Sequence, residues 1–275
     1  MRADQTALFT DLDGTLFNSK SQISRENREA IAAYMAEGGA FAISTGRAPG
    51  NARKFIGDLP TNAPSVVFNG GGVYDFSRDS YGFLLHMDYA RYAPVFRWAI
   101  DAIPDLDLQV YPDDEIIYCT PLERARKDFL EMHSPCRHLP LEALADIPVV
   151  KALLLTSDGN MSLLGKKLEA AAPGAFDLKK GAVVLGTRLS YYETMPPEAT
   201  KGAALRYLRS DPGLAGRTFL AAGDYWNDYE MLREADVSVA PGNAIPEIRA
   251  LCTHITASND EHAIAHIIRD IIPAL

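Results

Sequence analysis

Residues 7–17, ALFTDLDGTLF, decide how the rest of the chain is read. An apolar run with the pattern of a buried strand carries two carboxylates, Asp11 and Asp13, straight into a glycine turn at Gly14. Residues two apart on a strand point to the same side, so both carboxylates can face one site where the strand ends. Gly14 lets the chain turn sharply there. Ionised carboxylates at the edge of a core are costly to desolvate, and two so close repel each other. Their placement points to a cation or to a reaction.

Two blander readings compete. The DxDG pattern looks like the start of a calcium loop, but that loop needs glycine at its sixth position and glutamate at its twelfth. Here Gly14 is fourth and Gln22 is twelfth. The other reading is structural, with the two aspartates merely capping a turn.

Composition narrows the function classes. A chain of 275 residues, 47% of them hydrophobic and 9% aromatic, has ample material for one large domain or two ordinary ones. A formal net charge of −9 argues against a broad nucleic-acid surface, so any phosphate site must be built locally. Cys119, Cys136 and Cys252 are widely spaced with no CxxC, which suggests neither a disulfide framework nor a zinc site and fits a reducing cytoplasm. The opening MRADQTALFT lacks the apolar length of a signal peptide, and no run approaches that of a membrane helix. The expectation is a cytoplasmic protein with no membrane or nucleic-acid partner.

Outward from the first strand, ALFTDL, SRENREAIAAYMAEGG, AFAISTG, NARKFIGDL and SVVFNGGGVYD alternate in βαβαβ order. Ser24 is placed to cap the first helix, Ile31, Tyr34 and Met35 supply its apolar stripe, and Gly38-Gly39 ends it. AFAIS and SVVF are nearly continuous in apolar residues, as expected of a parallel sheet covered on both faces. The fold class expected is α/β, a doubly wound, Rossmann-like parallel sheet. The middle of the chain differs: its strands and helices include a turn signal at Pro112-Asp113-Asp114, which predicts an antiparallel α+β region. The earlier style returns after TMPPEATKG. This predicts a core of residues 1–84 and 194–275 with an inserted α+β domain over 85–193.

A second strand-to-loop junction, LAAGDYWND, offers Asp224, Asn227 and Asp228 at the usual ligand-binding edge of a parallel sheet. Several carboxylates with no nearby histidine or cysteine suit a hard cation of the magnesium type, which usually completes its shell with water and substrate phosphate. Ser44-Thr45-Gly46-Arg47 ends the second strand, where hydroxyl and backbone donors suit phosphoryl oxygens; its bland reading is a helix-capping turn. Lys201 lies near a helix start, where the dipole disfavours a cation and a lysine is usually just solvated.

DLDGT, STGR at 44–47, FNGGG at 68–72, KGAAL at 201–205, GDYWNDYEML at 223–232 and VAPGNAIPEI at 239–248 follow one another in order. On these motifs the chain resembles the haloacid dehalogenase (HAD) superfamily of aspartate-nucleophile phosphatases, in its Cof-type sugar-phosphatase branch. The resemblance implies that Asp11 attacks phosphorus to form an aspartyl-phosphate, with Mg2+ screening the repulsion between the two anions. It implies that Asp13 protonates the leaving oxygen, later activates water, and reaches the metal through its backbone carbonyl. Asp224 is then a metal ligand with Asp228 in the shell behind it, and Thr45 and Lys201 hold the phosphoryl oxygens. Gly46, Arg47, Asn69 and Asn227 fall on the substrate side. The insert becomes a large α/β cap that closes over the site and sets specificity, with a small phosphorylated metabolite as substrate. A phosphomutase on the same fold and a noncatalytic phosphometabolite binder are the alternatives. Asp113, Asp114, Arg124, Arg126 and Lys127 of the insert are as readily a solvated face as substrate contacts. Three details depart from this pattern or stay outside it. Tyr225 and Trp226 are bulky and expected to pack on the core in preference to shaping an entrance. The tail NDEHAIAHII lacks a glycine after its acidic pair, and His262 and His266 are assigned no role.

Overall fold

A computed structural model of the chain describes residues 1–113, 116–125, 135–171, 173–174, 176–184 and 187–275. Asp114, Arg126, Lys127 and most of the charged stretch PLERARKDFLEMH lie outside the described residues. Two compact units are present, Met1–Phe83 with Glu198–Leu275, and Leu84–Pro197.

The first unit opens with β1 (Thr6–Thr10), α1 (Arg25–Ala36), β2 (Ala40–Ile43), α2 (Pro49–Ile56), β3 (Ser65–Val67), β4 (Gly72–Asp75) and β5 (Ser80–Leu84). Every residue of β1 and β2 is buried, as the continuous apolar runs predict for strands covered on both faces. The Ser24 hydroxyl accepts the Asn27 N–H and caps α1. The second unit holds α3 (Tyr89–Ala102), β6 (Asp107–Tyr111), β7 (Ile117–Thr120), β8 (Cys136–His138), β9 (Lys151–Leu155), α4 (Asp158–Ala171), β10 (Asp177–Val184) and β11 (Thr187–Thr194). The chain then returns to the first unit with α5 (Lys201–Leu208), β12 (Thr218–Ala222), α6 (Tyr229–Glu234), β13 (Val237–Ala240), α7 (Pro246–Leu251), β14 (His254–Ile255) and α8 (Ala263–His266), and the last helix runs on through a π turn over Ile267–Ile271.

The central sheet of the first unit has the order β14-β13-β12-β1-β2, and all its pairs are parallel. Alternation along β1 sends Leu8 to one face, with Ile31 and Ile264, and Ala7 and Phe9 to the other, with Leu205, Phe219 and Met231. β1 leads to β2 on one side while β12 pairs on the other, so the connections diverge from its carboxyl end, the place where such sheets open a crevice. β3 corrects the expectation for SVVF. Beside β2 it makes a parallel bridge, Ser44 to Val66, with the Ile43 N–H donating to the Ser65 hydroxyl and the Thr45 N–H to the Val66 carbonyl, but its ladder pairs antiparallel with β4 in a separate sheet of three strands.

In the second unit six strands run in the order β10-β11-β9-β6-β7-β8, antiparallel except for β7 with β8. Phe96 and Ala99 of α3 and Leu164 and Leu168 of α4 pack with Leu108, Val110, Ala152 and Leu154 of this sheet. Arg124 donates to the Ile100 and Ile103 carbonyls at the end of α3, which makes it a helix cap. Cys119 on β7 and Cys136 on β8 lie side by side with their Cα atoms 6.4 Å apart, and Cys252 stands apart from them. Among the described residues, no helix is long and apolar enough to cross a membrane.

Candidate active site

β1 delivers Asp11 to the carboxyl edge of the sheet, where its N–H donates to the Ala222 carbonyl of β12. The same edge of β12 delivers Asp224, and Asp228 follows in a short 3-10 turn. Asp11, Asp224 and Asp228 each offer a carboxylate oxygen within 4.8 Å of the others. Lys201, only 1% exposed, donates to Asp11 Oδ1 and Asp228 Oδ1 at 2.6 Å each. Lys201 is thus buried between two acids and not solvated at its helix start. Asp228 is itself fully buried, and its other oxygen accepts the Asp224 and Tyr225 N–H groups, which fixes the loop that presents Asp224.

The glycine of DLDGT has a specific reason. Gly14 has φ +87°, and a Cβ there would stand 2.5 Å from Asp224 Oδ2. The next residue, Thr15, donates from its hydroxyl to Asp224 Oδ1 at 3.0 Å. Thr15 was not singled out among the sequence candidates, although its place in DLDGT carried the signal.

The electrostatics mark a site short of positive charge. Burial pushes the Asp11 carboxyl well above the usual range, and the neighbouring carboxylates of Asp228, Asp224 and Asp13 add to this against the pull of Lys201. Asp224 is pushed up to about 7, by burial first and by Asp228 next. Burial opposes the charge on Lys201, but Asp11 and Asp228 outweigh it and hold its ammonium firmly protonated. Three carboxylates face one ammonium. An oxygen-seeking divalent cation fits that donor set, and Asp11, Asp224 and Asp228 are the side chains that would hold it.

The phosphate-side candidates gather around the same edge. Thr45 is buried at the end of β2, with its hydroxyl accepting the Arg47 N–H. Asn69 donates its N–H to the Thr45 carbonyl, and a Cβ on Gly46 would stand 2.8 Å from its side-chain amide. Asn227 Nδ2 donates to Asn69 Oδ1 at 3.3 Å, joining the GDYWND loop to the FNGGG loop. Gly70 lies against the start of α5, where a Cβ would collide with the Thr200 carbonyl.

Asp13 and Arg47 stand differently from the rest. The Asp13 side chain is 56% exposed and does not join the three-acid group; Arg47 grips it through Nε at 3.0 Å and Nη2 at 2.7 Å. Arg47 Nη1 donates to Asn51, and the guanidinium lies 4.0 Å from the centre of the Phe55 ring. Arg47, in the loop after β2, thus ties Asp13 to Asn51 of α2. Tyr225 and Trp226 correct the expectation of core packing, because they are 48% and 52% exposed.

The family pattern of the haloacid dehalogenase-like hydrolases matches residues 8–268. The chain is 28% identical over 283 residues to the 5-amino-6-(5-phospho-D-ribitylamino)uracil phosphatase YwtE of Bacillus subtilis, covering 95% of this chain and 96% of the relative. A haloacid dehalogenase-like hydrolase from Bacteroides thetaiotaomicron shares the fold with a TM-score of 0.81 at 24% identity, covering 97% of this chain and 99% of that one. A sugar phosphatase of HAD subclass IIB superposes with a TM-score of 0.75 at 19% identity, over 97% of this chain and 98% of that one. With the pattern matched along nearly its whole length, the chain belongs to the haloacid dehalogenase-like hydrolase family.

Proposed function

We propose that the protein is a magnesium-dependent phosphomonoesterase that hydrolyses a small phosphorylated metabolite, most simply a sugar phosphate, through an aspartyl-phosphate on Asp11. The observation that carries this reading is Asp11 itself, a buried carboxylate held by Lys201 beside Asp224 and Asp228. A structural salt bridge would be served by fewer acids; a surplus of desolvated negative charge suits a site completed by a cation and a phosphoryl group. The names of the relatives point the same way, since one is a phosphatase of a phosphorylated ribityl compound and another a sugar phosphatase.

In this scheme Lys201 holds one Asp11 oxygen and orients the carboxylate for attack on phosphorus, while its charge offsets that developing on the phosphoryl oxygens. The bond from Asp11 to phosphorus forms as the bond to the leaving oxygen breaks, and Asp13 supplies the proton that oxygen needs. Asp13 then takes a proton from the water that attacks the aspartyl-phosphate, releasing inorganic phosphate and restoring Asp11. Thr45 and Asn69 steady the phosphoryl group. Magnesium, when bound, screens the repulsion between nucleophile and phosphate. Residues 85–193 are proposed to act as a cap that selects the leaving group.

A panel of phosphorylated sugars, polyols and nucleotides, assayed for phosphate release with Mg2+, tests the reading. Wild type is expected to release phosphate from at least one class, and Asp11→Asn to lose at least about 1,000-fold in kcat. Phosphate release that persists in Asp11→Asn would refute the nucleophile, and label moving between positions without phosphate release would show a mutase.

A further inference from the structure

The segment VAPGNAIPEI carries no part of the chemistry above, yet its turn touches both loops that build the metal side of the site. Asn243 Nδ2 donates to the Gly14 carbonyl at 2.8 Å. Two residues on, the Ile245 N–H donates to the Asp224 carbonyl at 3.1 Å. Asn243 is itself fixed from behind: its Oδ1 accepts the Asn259 N–H at 2.9 Å, and Asn259 Nδ2 donates to the Phe17 carbonyl at 2.9 Å. The loop that follows the nucleophile is thus held at Gly14 and at Phe17 by two asparagines that are hydrogen-bonded to each other.

What this bracket controls is close at hand. Gly14 lies so near Asp224 that no Cβ fits between them, and Thr15 Oγ1 donates to Asp224 Oδ1. A shift of the Gly14 carbonyl carries the Thr15 hydroxyl with it and so turns the Asp224 carboxylate. The amide of asparagine suits the post, because one side chain must accept an N–H and donate to a carbonyl at once; aspartate has no donor and alanine has neither group.

From this geometry we infer that Asn243 is a positioning residue that sets the orientation of Asp224 toward a divalent cation, with Asn259 as its support. The inference rests on the reading of Asp224 as a metal ligand. Asn243 is exposed, so its truncation removes hydrogen bonds and no core packing. Partners behind a metal ligand typically change affinity by 10- to 100-fold when removed.

Calorimetric titration of the full chain with Mg2+ alone, beside thermal melting of the metal-free protein, tests the role in wild type, Asn243→Ala and Asn259→Ala. Asn243→Ala is expected to weaken Mg2+ binding about tenfold, with its metal-free melting temperature within a few degrees of wild type. Asn259→Ala should weaken binding less, since it leaves the Asn243 amide on Gly14. Wild-type Mg2+ affinity in Asn243→Ala overturns the inference and leaves the metal site standing. Weakened binding that comes with a collapse of the metal-free melting temperature assigns Asn243 to general stability and also overturns it. A wild type that takes up no Mg2+ sinks the metal reading itself, and the inference with it.

Discussion

Lys201 starts a helix, where the dipole disfavours a cation, and is buried 2.6 Å from both Asp11 and Asp228. Removing it leaves two desolvated carboxylates facing each other. Lys201→Met is expected to cost about 3–5 kcal/mol of stability in metal-free buffer, and urea denaturation checks this; a loss below about 1 kcal/mol would mean that the acids relax without it. That Asp11 and Asp224 meet at one sheet edge was legible in the sequence because each follows a strand in a short motif. The grip of Arg47 on Asp13 was not, since it joins residues 34 apart through side chains whose meeting depends on the whole fold. His262 shows a milder case. It stands where a glycine was expected and adopts the left-handed conformation, φ +65° and ψ +46°. The turn survives because histidine tolerates this region better than most side chains. His262→Gly should therefore stabilise the protein by about 0.5–1 kcal/mol, the relieved backbone strain exceeding the entropy glycine adds to the unfolded chain. His262→Val should destabilise it, since a β-branched residue fits the left-handed region poorly; thermal melting of the pair decides.

At the level of elements, β1, β2, β12 and β13 were legible as mostly apolar runs, but the pairing of β3 was not. SVVF reads the same whether it extends a parallel sheet or starts an antiparallel hairpin. The decision lies just after it, where Phe68, Asn69 and Gly70 take φ of +52°, +51° and +99° and turn the chain back into β4. The start of α4 allows a pH prediction. Asp105 accepts the Ser157 N–H, the Thr156 hydroxyl and the Asn160 amide, all at 2.7–2.8 Å. Burial alone would raise its carboxyl, but the Thr156, Ser157 and Asn160 donors outweigh burial and hold it well below the usual carboxylate range. A depressed folded value contributes stability that is fully present above the unfolded value of about 3.9 and is lost as pH falls through the folded one. Asp105→Ala should cost about 1 kcal/mol near neutral pH, and the gap to wild type should shrink only below about pH 4. A gap that closed between pH 7 and pH 5 would contradict the assignment.

For the molecule as a whole, the question is how a site built from one unit registers in global stability. Leu8, Phe9, Phe219 and their neighbours form the apolar packing of the first unit, whereas Phe96, Leu154 and Leu164 belong to a separate core in the second. Asp11, Asp224 and Asp228 all belong to the first unit. A cation that binds only the folded site stabilises it by RT ln(1 + [L]/Kd), about 2.7 kcal/mol at 100 times Kd. Protons compete for the same oxygens. Asp224 is raised to about 7 without metal, so between the unfolded carboxylate range and that value the folded state binds more protons than the unfolded state. Metal-free stability contributed by this group therefore declines as pH rises through that window. Above it the carboxylates are free for a cation, and below it the cation must displace protons. Scanning calorimetry with saturating Mg2+ should show a larger upward shift at pH 8 than at pH 5.5, in the transition that reports the first unit. Equal shifts at the two pH values would show that the cation binds away from Asp224. A shift confined to the second unit would place it on residues 84–197 instead.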